Sequence, residues 1–488
     1  MIGQPPLILG IDLGTTNGKV ACYDSNGKLL SKVEQKVTTY YPLPGVYEQY
    51  PDEWITILEK LINLTVRNLG SNVKRIQGIS LSSWGPGIVI IGGGKPLTPT
   101  PTWQDKRCWD QGQELIENIG LDWIGFGTPQ TGFYARLYWN LYNRHDLKSE
   151  IDYFFDIKGF LLFWLTGKAI TDPSSGPSEF EWNKEVLNYI GCPIEKLPFV
   201  KDSTENVGFL KDELASKLGL PLKIPIFTGL NDGASATLGS GVIDVGDSII
   251  SLGTNGVVRS VIQKRLDPKL LYEHSLFSWP YINKLWICGG QTLSGAESIN
   301  WFNRIIGNNG DLTSIDKLVE NAIQSPIGSK GIIFLPYLSG RGSPNVDLSM
   351  KASFLNLRID HKQSDITRSI LEGVSFALVE IYDVLRSFGV LSNKINITGG
   401  GANSDLWQQI IADLMDKTII NAGGDSTLGS AIVASVGLGI YDNYSDAVKK
   451  MVHYKKNTYP IKENINEYNN LRKRFQSIRD LLCQISTN

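Results

Sequence analysis

Cysteine is scarce and scattered. The five residues Cys22, Cys108, Cys192, Cys288 and Cys483 form no C-x-x-C pair, which argues against a disulfide framework and a thiolate zinc site and fits a reducing cytoplasm. An excess of one charge is also missing. With 47 basic and 49 acidic side chains the net charge is −2, so nothing points to nucleic acid or an anionic membrane surface as a partner. No apolar run reaches the roughly 18 residues of a membrane-spanning helix. The opening Met1-Ile-Gly-Gln-Pro-Pro6 lacks the basic and apolar stretches of a signal peptide, and Gly3 does not fit a myristoylation pattern. Low-complexity segments and long linkers are absent. A cytoplasmic globular protein is expected. Its 42% hydrophobic and 20% charged residues are ordinary for sizeable cores, and its length suits about two to four domains.

What the chain does have is a repeat. It reads Leu9-Gly-Ile-Asp-Leu-Gly-Thr-Thr-Asn-Gly-Lys-Val20 near the start and Ile249-Ile-Ser-Leu-Gly-Thr-Asn-Gly-Val-Val258 midway. Both are an apolar strand, a Gly/Thr/Asn turn and a second strand, the pattern of a hairpin. Short Gly/Thr-rich turns expose backbone N–H groups that can hold phosphate. Strands alternating with helices in two such repeats imply an α/β fold of two similar domains, 1–243 and 244–488, around a shared nucleotide cleft. Strands are expected at 7–13, 76–80, 223–229 and 395–398. A mostly helical stretch is expected over 110–166, and Asp52 is expected to cap the helix that follows it.

Several residues then suggest chemistry. Asp12 ends a buried strand, where a carboxylate needs a cation or donors. It is the candidate to organise Mg²⁺, with Thr15 and Thr16 meeting phosphate and Lys19 neutralising the γ-phosphate. The second copy has Ser251 in place of Asp12, so one hairpin keeps the acid and the other only clamps. Asp232 stands between a strand and a helix. It is either that helix's N-cap or a free carboxylate able to take a proton from a substrate hydroxyl. Trp103-Gln-Asp-Lys-Arg107 offers Trp103 as a wall and Asp105 and Arg107 as hydrogen-bonding groups for a polyol, or else a surface salt bridge. Thr398-Gly-Gly-Gly-Ala-Asn403 is a glycine-rich turn. The aromatics Phe133, Tyr134, Tyr138, Trp139 and Tyr142 have helical spacing and read as core.

Together these residues resemble the FGGY carbohydrate kinases of the actin/hexokinase/heat-shock-chaperone ATPase superfamily. The resemblance runs through Gly10–Thr16, Pro44-Gly-Val-Tyr-Glu-Gln49 with Asp52-Glu-Trp54, Trp103–Arg107, Asp232-Gly233 and Ser251–Thr254. It continues through Phe334-Leu-Pro-Tyr-Leu-Ser-Gly340, Leu371-Glu-Gly373, Gly399–Trp407 and Leu428-Gly-Ser-Ala431. It implies two ribonuclease-H-like (actin-like ATPase) domains and ATP- and Mg²⁺-dependent phosphorylation of a sugar or polyol hydroxyl. Asp232 matches the catalytic base and Asp12 the metal-organising acid. Thr15 and Thr16 match the phosphate loop, with Lys19 where some members carry Arg. Gly253 and Thr254 match the second phosphate hairpin, and Gly400, Gly401 and Asn403 the adenosine-side loop. A homodimer is compatible with the resemblance.

The substrate loop departs from the family. Ser83-Trp84 stands where xylulokinase- and gluconokinase-like members have Met-His and glycerol kinases have Arg-Glu. Trp84 can stack on the apolar face of a sugar, and Ser82 and Ser83 supply hydroxyls. The loop has no cation for a gluconate carboxylate, which favours a neutral pentulose such as D-xylulose. Lys106 and Arg107 keep gluconate as the alternative. An ATP-driven conformational switch without a metabolite substrate is the alternative of another class.

Overall fold

The computed structural model describes residues 4–125, 128–306, 315–392 and 394–486. Two twisted mixed sheets organise them. The first contains β1 (Leu7–Leu13), β2 (Asn17–Asp24), β3 (Leu29–Lys36), β4 (Ile76–Ser83), β5 (Asn206–Phe209) and β6 (Pro225–Asn231), in the order β5-β6-β4-β1-β2-β3. The second contains β7 (Ser248–Leu252), β8 (Gly256–Ile262), β9 (Phe277–Pro280), β10 (Trp286–Thr292), β11 (Lys394–Thr398), β12 (Thr418–Asn421) and β13 (Lys456–Thr458), in the order β9-β10-β8-β7-β11-β12-β13.

The two sheets repeat one wiring. β1-β2-β3 is an antiparallel meander, with β4 parallel to β1 and β6 parallel to β4. In the second sheet β7-β8-β10 is antiparallel, with β11 parallel to β7 and β12 parallel to β11. This is the duplication that the doubled hairpin announced. The β7–β8 turn is one residue tighter, Leu252 pairing with Gly256 where Leu13 pairs with Gly18, because it has one Thr fewer.

Four helices position the site: α1 (Pro51–Leu69), α2 (Ile157–Thr166), α3 (Asp232–Gly239) and α4 (Ser426–Gly437). Asp52 does not cap α1. Pro51, with its φ preset and its N–H dispensable, begins the helix one residue earlier; Tyr50 occupies the cap and Asp52 lies in the first turn. The 110–166 stretch is helical over Trp109–Ile119, Phe133–Asn143 and α2. A short strand, Tyr153–Phe155, interrupts it by pairing with Val89–Ile91. Phe133 and Tyr134 are core, as expected of them, whereas Tyr142 is exposed.

A shared core joins the halves. Apolar residues of β1, β6, β7 and β8 meet those of α3 and α4 in one buried cluster that includes Ile8, Leu230, Ala234, Ile249, Val261 and Ile432. The contact is so close that a Cβ on Gly429 of α4 would stand 1.8 Å from the Ser235 carbonyl oxygen of α3. Only glycine permits that approach. Among the described residues the cysteines form no disulfide. Among the described residues no helix is long and apolar enough to cross a membrane.

Candidate active site

Parallel strands that end together create a ligand crevice beyond their carboxyl ends. In the first sheet Asp12 pairs alongside Ser82, and Leu230 and Asn231 pair alongside Ser82 and Ser83. Three connections therefore leave one edge: the first hairpin turn, the Trp84 loop and the start of α3. The second sheet's edge delivers the turn at Gly253, the Gly399–Asn403 loop and the segment leading into α4.

Asp12 is buried. Its Oδ1 accepts from Ser82 Oγ at 2.7 Å and its Oδ2 from Lys19 Nζ at 3.3 Å. The Asp12 carboxylate, opposed by burial, raises the Lys19 pKa. Among the described residues no group of three His, Cys, Asp or Glu side chains could cage a metal. A single carboxylate beside a phosphate site fits Mg²⁺, which keeps several waters and takes one or two carboxylates plus phosphate oxygens.

The capping question at Asp232 resolves against capping. Asn231 is the N-cap of α3, its side chain accepting from Ala234 N at 2.7 Å. The Asp232 carboxylate accepts the adjacent Gly233 N–H at 2.7 Å and lines a pocket in the cleft. Burial, then the nearby Asp12 charge, push its pKa up to about 6, against the opposing pull of Arg259, the Gly233 N–H and Lys19. A carboxylate with a pKa near neutrality suits proton abstraction.

The pocket is a narrow, partly open cleft with a cavity volume of about 40 Å³. Trp84, Pro86 and Ile157 make apolar walls, and Trp279 closes it from the second sheet. Trp84 stands edge-on to Trp54, and its indole N–H is buried without a hydrogen-bond partner among the described residues. Polar lining comes from Asp156, Ser174, Ser175, Asn231 and Asp232.

Other expected site residues lie elsewhere. Ser83 Oγ donates to the Trp84 carbonyl at 3.2 Å and Ser82 serves Asp12, so neither hydroxyl is directed to the pocket. Trp103 packs against the core of the first domain. Asp105 accepts from Tyr47 N at 2.9 Å, Arg107 N at 3.0 Å and Arg107 Nε at 3.0 Å. Arg107 also reaches Glu48 at 2.7 Å and lies over the Trp139 ring. The Trp103–Arg107 motif thus clasps the Pro44–Gln49 motif and leaves the pocket to others.

That clasp bears on the first hairpin through Gln49. Its amide donates to the Thr15 carbonyl at 2.8 Å and to Thr39 Oγ1 at 2.9 Å, and accepts from Trp54 Nε1 at 2.9 Å. Gln49 is fully buried. Gln49→Leu would strand these partners. We expect a loss of about 2–3 kcal/mol in a urea unfolding curve, with a weakened nucleotide affinity measured by calorimetry.

On the second edge, the Gly253 N–H closes its own turn to Asn255 O at 3.1 Å, as Gly14 does to Asn17 at 2.9 Å. Thr254 and Thr16 at the turn tips are exposed. Gly399 has φ +92°, and a Cβ there would strike Leu252. The next residue, Gly400, faces open space, Gly401 packs on Trp407, and Asn403 is exposed.

Three groups escaped the sequence reading. Asp156 and Ser174–Gly176 carry no motif. Trp279 lies within β9 and belongs to no motif. Arg259 lies one pleat beyond the second hairpin motif, and the alternation of that strand was the one signal that could have found it.

Comparison with known proteins agrees with this geometry. Residues 7–239 match the N-terminal domain, and residues 249–438 the C-terminal domain, of the FGGY family of carbohydrate kinases. A xylulose kinase of Staphylococcus epidermidis is 30% identical over 478 residues, spanning 95% of this chain and 94% of that protein. A gluconokinase of Bacillus subtilis is 27% identical over 499 residues, spanning 97% and 96%. The crystal structure of a ligand-bound xylulose kinase from Lactobacillus acidophilus superposes with a TM-score of 0.88 at 25% identity, covering 98% of both chains.

Proposed function

The chain belongs to the FGGY family of carbohydrate kinases, and from that premise we propose that it transfers the γ-phosphoryl group of ATP to a hydroxyl of a neutral pentulose, with D-xylulose the first candidate. The observation that carries the choice is the pocket lining: two carboxylates, Asp156 and Asp232, and no Lys or Arg among the described lining residues. An aldonate carboxylate would be repelled there. Of the two cations that kept gluconate in view, Arg107 is engaged by Asp105 and Glu48 and Lys106 lies over the Trp109 ring. The xylulose kinase relatives support the same choice.

In this reading residues 1–243 bind the sugar and residues 244–488 clamp ATP. Asp232 takes the proton as the sugar oxygen forms its bond to the γ-phosphorus and the bond to the β–γ bridging oxygen breaks, releasing ADP. At pH 7 a pKa of about 6 leaves most molecules ionised and ready. Trp84 and Trp279 flank the ring or chain of the sugar, and the free Trp84 N–H offers it a donor. Thr15, Thr16 and Lys19 meet the γ-phosphate side, Gly253 and Thr254 the other phosphates, and Gly400, Gly401 and Asn403 the adenosine. When bound, Mg²⁺ held near Asp12 neutralises charge on the phosphates. The absence of disulfides among the described residues fits a cytoplasmic setting.

The test is ADP release measured with D-xylulose, D-ribulose, gluconate, glycerol and no acceptor. D-xylulose should give a kcat/KM at least tenfold above gluconate. A preference for gluconate would overturn the substrate choice. Acceptor-independent turnover with no sugar stimulation would favour the switch.

A further inference from the structure

The two hairpins are unequal in a way that the motif alone conceals. In the first, Asp12 and Lys19 face each other across the ladder. In the second, the corresponding pair is Ser251 and Val257. Both members of the charged pair are gone. Yet Arg259, two residues further along β8 and therefore on the same face as Val257, reaches back and donates from Nη1 to Ser251 Oγ at 3.0 Å. The cation has moved by one pleat rather than disappeared.

Its new place is significant. The Arg259 guanidinium lies against the first turn of α3. A Cβ on Gly233 would be 3.2 Å from its Nε and 3.3 Å from its Nη2, with the Trp279 ring at 3.2 Å. The residue is anchored in the second sheet, but its charged end stands beside the Asp232-Gly233 peptide of the first. Its Nε is buried with no hydrogen-bond partner among the described residues. A guanidinium has five donors in a planar fork and cannot shed its charge. An incompletely used fork in a cleft flanked by two phosphate hairpins is a ready partner for a phosphate oxygen.

Resting on the kinase reading, we propose that Arg259 is a catalytic residue whose guanidinium, delivered across the cleft by the second hairpin, contacts the γ-phosphoryl group during its transfer to the sugar. Lys19 and Arg259 then approach the phosphoryl group from opposite domains. Charge builds on its peripheral oxygens and on the ADP leaving group as the bond to ADP breaks, and two cations from two domains meet it only when the cleft is closed. That couples closure to chemistry and leaves ATP poorly stabilised for hydrolysis in the open state.

The test uses Arg259→Met and Arg259→Lys in the full chain, with a thermal melt to confirm folding. Two readouts are needed. In steady state with the best acceptor, Arg259→Met should lower kcat by about 10²–10³ while the KM for ATP moves less than threefold, and Lys should recover part of the loss. In calorimetry, ADP with magnesium should bind Arg259→Met within twofold of wild type, while ADP with aluminium fluoride, a mimic of the transferring group, should bind at least tenfold more weakly. Equal aluminium fluoride affinity in both proteins overturns the proposal. So does a loss confined to gluconate with D-xylulose turnover intact, since that would seat the guanidinium on the acceptor. Failure of the wild-type protein to phosphorylate any sugar would overturn the kinase reading instead, and the aluminium fluoride comparison would still decide whether Arg259 senses a phosphoryl group.

Discussion

Asp232→Asn should abolish sugar phosphorylation and at the same time make the protein more stable. The first effect follows from losing the base: kcat with D-xylulose should fall by about 10²–10⁴, with ATP affinity within a few-fold of wild type. The second follows from the raised pKa. An unfolded Asp titrates near 3.9, whereas burial and Asp12 hold Asp232 at about 6. Between those values the folded chain binds a proton that the unfolded chain releases, so stability falls as pH rises from about 4 to 6 and the penalty is fully present above 6. Replacing the acid removes this penalty. The variant should gain about 1–2 kcal/mol at pH 7.5, and the gain should vanish near pH 4. Chemical denaturation at the two pH values measures it. An Asp232→Asn protein that retains sugar-dependent ADP release would remove Asp232 from the chemistry. One no more stable than wild type at pH 7.5 would show that the carboxylate is not held at a cost.

How much of this was legible beforehand depended on whether a residue's role is local. The hairpins, the strands leading into them and the glycine turns are set by neighbours in sequence, and they could be read from the repeat. The Leu371-Glu-Gly373 and Phe334–Gly340 motifs were legible as signature but not as cause. A Cβ on Gly373 would stand 2.2 Å from the Phe334 carbonyl, and Glu372 accepts from Gly328 N, Ser329 Oγ and Arg368. These motifs are therefore packing between distant segments. Trp103 and Asp105 show the opposite failure. Their polar and aromatic character suggested a sugar wall, but Tyr47, which donates to Asp105, and Glu48, which pairs with Arg107, lie on a neighbouring segment that only folding brings near. Asp232 was ambiguous because an Asp before a helix usually caps it. The adjacent Asn231 takes that task and frees the acid, a division that depends on backbone angles rather than residue type.

The largest cost in stability should come from a residue that touches neither sugar nor nucleotide. Lys158 is fully buried in the first turn of α2, and its ammonium pairs with the equally buried Asp172. Asp172 also accepts from Ser174 N at 2.8 Å and from Ser174 Oγ; Ser174 Oγ accepts Asn231 N at 2.8 Å, and the Asn231 amide donates to Ser174 O at 2.6 Å. The chain of bonds ends at the residue before Asp232. Asp172→Asn leaves Lys158 without its counter-ion, a change that typically costs about 3–5 kcal/mol. Burial already pulls the Lys158 pKa down, with Asp172 and then Asp156 opposing it; once Asp172 is gone the downward pull of burial is less opposed and the neutral amine is favoured in the folded core. The unfolded chain binds that proton at any pH below about 10. The loss should therefore be greater at pH 7 than at pH 9, by up to about 1.4 kcal/mol per pH unit. Lys158→Met combined with Asp172→Asn removes the stranded charge and should restore most of the stability, because a buried pair contributes little over an apolar substitute. Activity should not return with it, since an Asn in place of Asp172 has a single accepting oxygen and cannot serve both the Ser174 groups, which share Oδ2, and the Ser175 hydroxyl, which uses Oδ1. A double variant as active as wild type would mean that the Asp172–Ser174–Asn231 bonds do not set the position of Asp232. A double variant as unstable as Asp172→Asn would mean that the cost lies in the lost hydrogen bonds rather than in the stranded charge.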